Sequence, residues 1–158
     1  MRCTDDGVAA GDCHTPHMQD HTKLRVWERA HRLSIAVHEL TETRSARRAS
    51  GVGTQLRRAV SSIAANIAEG TGQHSSAQFA RFLQIAIGSS SEALTHLLLM
   101  RDLQTIDADA WGSTNEELQA IRAMLITLLH RVQERDARER NAIRPPIAVQ
   151  ESTHCIDP

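Results

Sequence analysis

A chain of 158 residues, 41% hydrophobic and 23% charged, has the size and make-up of one globular domain that buries a core without disulfides or a structural metal. Its 18 Lys and Arg against 19 Asp and Glu leave a formal net charge of −1, which excludes the strong overall positive field of a protein that coats nucleic acid. The three cysteines, Cys3, Cys13 and Cys155, occur only in the end segments, so no disulfide framework is expected, and no apolar run reaches membrane-spanning length.

In chain order, residues 1–22 are polar and lack the basic-then-apolar plan of a secretion signal; they are expected to form a disordered tail on a cytoplasmic protein. Cys13, His14, His17 and His21 are zinc or copper ligand types, yet no apolar framework surrounds them. Adventitious binding by a tail is the simpler reading, and no metal or other cofactor is expected. A first helix is expected from Leu24 to Glu42, where Val26, Ala30, Leu33, Val37 and Leu40 step four and three residues apart and Trp27 widens the stripe. His31 and His38, one heptad apart on it, have no nucleophile or carboxylate placed to make them catalytic.

The second helix is expected from Val52 to Glu69, with Leu56, Val60, Ile63 and Ile67 on one face and glycines Gly51, Gly53, Gly70 and Gly72 at its ends. A third opens at Ser75, which has capping-box spacing to Gln78, and continues through Phe79, Phe82, Leu83, Ala86, Leu94, Leu97 and Leu98 to about Ile106. The fourth begins near Asp107, or at Ser113, and carries Leu118, Ile121, Leu125, Leu128 and Val132 until the stretch ERDARER removes the apolar face. All four prolines, Pro16, Pro145, Pro146 and Pro158, fall outside these helices. The expected architecture is all-α, an antiparallel up-and-down four-helix bundle over residues 23–138 with a second disordered tail at 139–158.

Chemistry-bearing candidates are few. The GTGQHS loop lacks the lysine of a P-loop and any preceding strand, so it reads as a helix stop and restart. Between Thr43 and Ala68 there is no acid, while Arg44, Arg47, Arg48, Arg57 and Arg58 cluster there; arginines so placed either form a plain solvated face, hold phosphates, or pair with acids of a neighbouring subunit. Only four aromatics, Trp27, Phe79, Phe82 and Trp111, are available, which argues against a base-stacking platform. The segment IAIGSSSEA places Gly88 and small residues inside a long helix, where glycine costs about 1 kcal/mol unless something comes close. That close approach is either inside the bundle or against another chain. Asn66 and Glu69, three residues apart, are expected to make structural polar contacts at a helix end or between subunits.

The strings QLRRAVSSIAANIAEGTG and FARFLQIAIGSSSEA, preceded by LRVWERA and HELT, resemble the bacterial four-helix-bundle proteins first noticed as reading frames in intervening sequences of 23S rRNA genes, a family that includes accessory proteins of diversity-generating retroelements. The resemblance covers about Leu24 to Leu103. Its matching positions include Trp27, Gln55, Arg57, Arg58, Ser62, Asn66, Glu69, Gly70, Gly88, Ser89 and Glu92, whereas Arg44 and Ser45 stand where the family has Phe-Pro, and Arg47 and Arg48 where acids are common. Ala64 stands for a usual proline and Gln73 for a usual basic residue. The resemblance implies a ring-shaped homopentamer without catalytic activity, with structural roles for Gln55, Asn66, Glu69, Gly70, Gly88, Ser89 and Glu92, and retroelement members that bind a reverse transcriptase and its RNA. The expected function is thus a non-enzymatic oligomeric scaffold that presents a basic surface to RNA or to a nucleic-acid-processing protein, without a small-molecule substrate. The alternatives are a protein-only interaction module and, less favoured, a metal-binding sensor or small enzyme.

Overall fold

A computed structural model describes residues 20–143. They form four α-helices and two short 3-10 turns, with no strand among the described residues: α1 Arg25–Thr41, α2 Ser50–Thr71, α3 Ser76–Asp102 and α4 Ala108–Ile143, the turns being His21–Lys23 and Ala46–Ala49. Each helix packs on the next in sequence, and α4 returns to α1. No helix of the described residues is long and apolar enough to cross a membrane. The expected tails, with Cys13, His14 and His17, lie outside the described residues apart from 20–22 and 139–143.

The apolar spacing of the sequence becomes one core. Val26, Ala30, Leu33 and Val37 of α1 are buried against Leu56, Val60, Ile63 and Ile67 of α2, Leu83, Ala86, Leu97 and Met100 of α3, and Leu118, Ile121 and Leu125 of α4. Burial of such side chains stabilises by roughly 1.5–3 kcal/mol each. Ala46, 1% exposed, pins the 3-10 turn between α1 and α2 onto that core.

The helix ends follow local chemistry. Thr41 is buried, and its hydroxyl donates to the Val37 carbonyl at 2.8 Å, while Thr43 donates to that of Leu40 at 3.0 Å; such bonds compete with helix continuation. Ser75 caps α3 by accepting from the Gln78 amide at 3.2 Å, as the capping-box spacing anticipates. Of the two starts considered for α4, the earlier holds: Asp107 accepts from the Ala110 amide at 2.7 Å and the helix begins at Ala108. At the other end, α4 continues past residue 138 to Ile143 despite the charged stretch, supported by i,i+4 pairs Arg135 to Glu139 at 2.7 Å and Arg140 to Asp136 at 3.2 Å.

The α3–α4 connection uses a left-handed residue that is not glycine. Gln104 has φ 54°, its amide donates to the Arg101 carbonyl at 2.8 Å, and the Thr105 amide reaches back to Met100 at 3.0 Å. This pair of bonds is a Schellman ending with glutamine at the position where glycine is easiest.

Candidate interaction surface

The five candidate arginines do not share one fate. Arg57, in the second turn of α2, turns back toward α1: its guanidinium donates to the Thr41 hydroxyl at 2.8 Å and to Thr54 at 3.0 Å, and lies 3.7 Å from the Glu42 carboxylate. Within the chain, Arg57 is thus engaged at the end of α1. Arg47 also meets Glu42, at 2.6 Å, and that guanidinium holds the Glu42 carboxyl below its usual range. Arg44, Arg48 and Arg58 are exposed, and none donates to a carboxylate or any other side chain among the described residues. They stand on a stretch of chain without acids, from the end of α1 through the first half of α2.

A second group of candidates lies along the outer junction of α2 and α3. Asn66 donates to the Ser62 carbonyl at 2.7 Å and to its hydroxyl at 3.0 Å, and the Ser62 hydroxyl meets that of Ser89 across the junction at 2.9 Å. Ser89 in turn donates to the Ile85 carbonyl at 3.1 Å, so one polar thread runs from α2 into α3 with each oxygen satisfied. Asn66 therefore acts within α2, not at a helix end. Glu69 is exposed, and only its carbonyl is used, accepting from the Gln73 side chain at 3.1 Å and the Gly72 amide at 3.2 Å. Its carboxylate has no partner among the described residues. Gln55 is exposed on the same stripe, and Glu92 lies 3.6 Å from His96.

The two family-pattern glycines have opposite surroundings. A Cβ on Gly70 would sit 2.7 Å from Phe79 Cδ2 and 2.9 Å from Phe82 Cβ, so α2 and α3 approach there as only glycine permits. A Cβ on Gly88 would meet nothing within 4 Å. No described residue therefore approaches Gly88 closely inside the bundle. Around it the surface of α3 exposes Ile85, Leu98, Leu99 and Leu103 at 41–51%.

The histidines weighed earlier serve packing. His31 stacks on Trp27 with ring centroids 5.1 Å apart, His21 meets the same indole edge-on at 4.8 Å, and His38 bonds the Ser34 carbonyl at 2.8 Å. Among the described residues no three His, Cys, Asp or Glu side chains are grouped to hold a metal. One ion pair was not anticipated from sequence. Arg29 of α1 grips Glu117 of α4 in a two-pronged contact, 2.7 Å from Nε and 2.5 Å from Nη2, and this holds the Glu117 carboxyl below the usual carboxylate range. Opposite charges 88 residues apart carry no sequence signal beyond helical phase.

Four packed helices, with outward arginines and a small-residue surface on α3, define an all-helical protein. The family profile of the 23S rRNA-intervening sequence proteins matches residues 22–127, and the chain belongs to that family. A search of the curated proteins finds no match.

Proposed function

We propose that this protein is a non-enzymatic scaffold of the cytoplasm: an up-and-down bundle that assembles into a homopentameric ring through the outer α2–α3 face and presents arginines to RNA. The observation that carries the RNA contact is the set of exposed guanidinia of Arg44, Arg48 and Arg58, without partners among the described residues, on a stretch without acids. Such groups bind phosphate through charge and bidentate donation. With few exposed aromatics the contact is to backbone more than to bases, so it is salt-sensitive and poor in sequence preference. Assembly is supported by the open surface at Gly88 and the exposed Ile85, Leu99 and Leu103, and a ring multiplies the number of patches facing one RNA.

Fluorescence anisotropy with a labelled single-stranded RNA across a salt series tests the contact. Replacing Arg44, Arg48 and Arg58 by Ala should weaken binding and lower the slope of log K against log salt by about two units per bound chain, three phosphate contacts at about 0.7 each. Helicity should be unchanged. Undiminished affinity in that variant, or no affinity of the parent at low salt, refutes RNA as the partner and leaves a protein. Sedimentation tests the assembly, and a stable monomer at micromolar concentration refutes it.

A further inference from the structure

The junction of α1 with α4 is the most sparsely packed of the four, and it is open to solvent. At the N-terminal end of α1, beyond the Arg29–Glu117 bridge, it holds a slot of about 380 Å³ whose floor is Leu24, Val26, Met124 and Leu128 and whose rim carries Arg25 and Arg131. Neither rim arginine pairs with a carboxylate among the described residues. The acids along the same junction are already engaged, Glu28 by Arg32 at 2.6 Å and Glu117 by Arg29 at 2.5 Å. The slot is therefore apolar at its base and cationic at its edges, with no Asp or Glu in its lining among the described residues.

From this geometry we propose that the slot docks a short amphipathic helix of another protein, apolar on one face and bearing Asp or Glu beside that face. The size argues for a segment of about two turns, since the α4 wall from Ala123 to Arg131 is about 12 Å long at 1.5 Å per residue. The chemistry argues for carboxylates. Arg25 sits in the first turn of α1, where the helix dipole disfavours a cation, so a partner carboxylate there relieves a repulsion as well as forming an ion pair. Apolar side chains on the floor supply affinity while the two rim charges select acidic partners over basic ones. This surface is separate from the one proposed for RNA: Arg25 and Arg44 belong to opposite ends of α1, so either can fail without the other.

The test uses the full-length chain and two synthetic helix-forming peptides with the same leucine face, one flanked by glutamates and one by lysines. Anisotropy of the labelled glutamate peptide should report binding, with the lysine peptide weaker by at least about tenfold. Arg25→Ala with Arg131→Ala, both exposed and so harmless to folding, should remove that preference. Thr127→Glu, at the mouth of the slot, should abolish binding of the glutamate peptide, whereas Leu98→Glu on the α3 surface should not. Equal binding of the two peptides overturns the proposal, as does loss of binding in Leu98→Glu with the slot variants unaffected. Binding that appears only after residues 1–19 are deleted overturns it in favour of the chain's own N-terminal segment as occupant.

Discussion

The same substitution at two glycines should have opposite signs. Gly70→Ala places a methyl 2.7 Å from Phe79 Cδ2, 2.9 Å from Phe82 Cβ and 3.1 Å from Phe79 Cε2, whereas carbon pairs rest at about 3.5–4.0 Å. The phenyl ring can tilt, but Phe82 Cβ is fixed to the α3 backbone, so the helices must part. Overpacking of this kind costs about 1–3 kcal/mol, and alanine recovers about 1 kcal/mol of helix propensity, which leaves a net loss near 2 kcal/mol at the upper end. Gly88→Ala meets nothing within 4 Å and keeps only the propensity gain, about 1 kcal/mol.

Denaturant unfolding followed by circular dichroism reads both, the expected separation between the two variants being about 1–3 kcal/mol. It should be run at two protein concentrations, because a neighbouring chain packed on Gly88 makes stability concentration-dependent. A Gly88→Ala loss confined to the higher concentration reports that neighbour. A loss at both concentrations, or a Gly70→Ala protein more stable than the parent, refutes the reading of α2–α3 packing. Gly88→Leu should then leave the monomer folded and impair assembly.

Further outcomes follow from single contacts. The depressed Glu117 carboxyl contributes stability that is fully present above its unfolded-state value and is lost as pH falls through the lower folded value, so Glu117→Gln should be less stable than the parent near neutrality and converge with it in acid, measured as the denaturant midpoint between about pH 7 and about pH 3. Gln104→Gly should raise stability by about 0.5 kcal/mol, the relief of about 1 kcal/mol of left-handed strain less the larger unfolded entropy of glycine; an unchanged or lower thermal midpoint contradicts it. Ser62→Ala and Ser89→Ala should each cost about 1 kcal/mol and couple by about 0.5 kcal/mol or more in a double-mutant cycle, and strict additivity disproves the shared hydrogen bond.

The core was legible because burial follows phase: Leu56, Val60, Ile63 and Ile67 carry it in their spacing and all four are fully buried. Adjacent polar residues were not separable that way. Arg57 and Arg58 look alike in sequence, yet a turn of about 100° sends one to Thr41 and leaves the other in solvent. Gly70 and Gly88 are likewise both glycines in small-residue surroundings, and only the position of Phe79 and Phe82 on the next helix decides which is crowded. The end of α4 eluded the apolar pattern because exposed ion pairs along one helix sustain it where no core face remains. The α1–α4 slot had no local signal at all, since its walls come from residues about 100 positions apart in the chain.

The two proposed surfaces and the assembly face answer differently to salt, which allows them to be separated in one preparation. Association through the exposed Ile85, Leu99 and Leu103, as proposed, would bury apolar area and be little weakened by added salt. Phosphate contacts at Arg44, Arg48 and Arg58 weaken steeply along the same series. The Arg25–Arg131 slot falls between these, since its floor is apolar and its rim ionic: affinity for the acidic helix should fall with salt toward that of the basic one and then level off. A slot affinity as steep in salt as RNA binding would mean that the floor contributes nothing and that Arg25 and Arg131 act as surface charge alone.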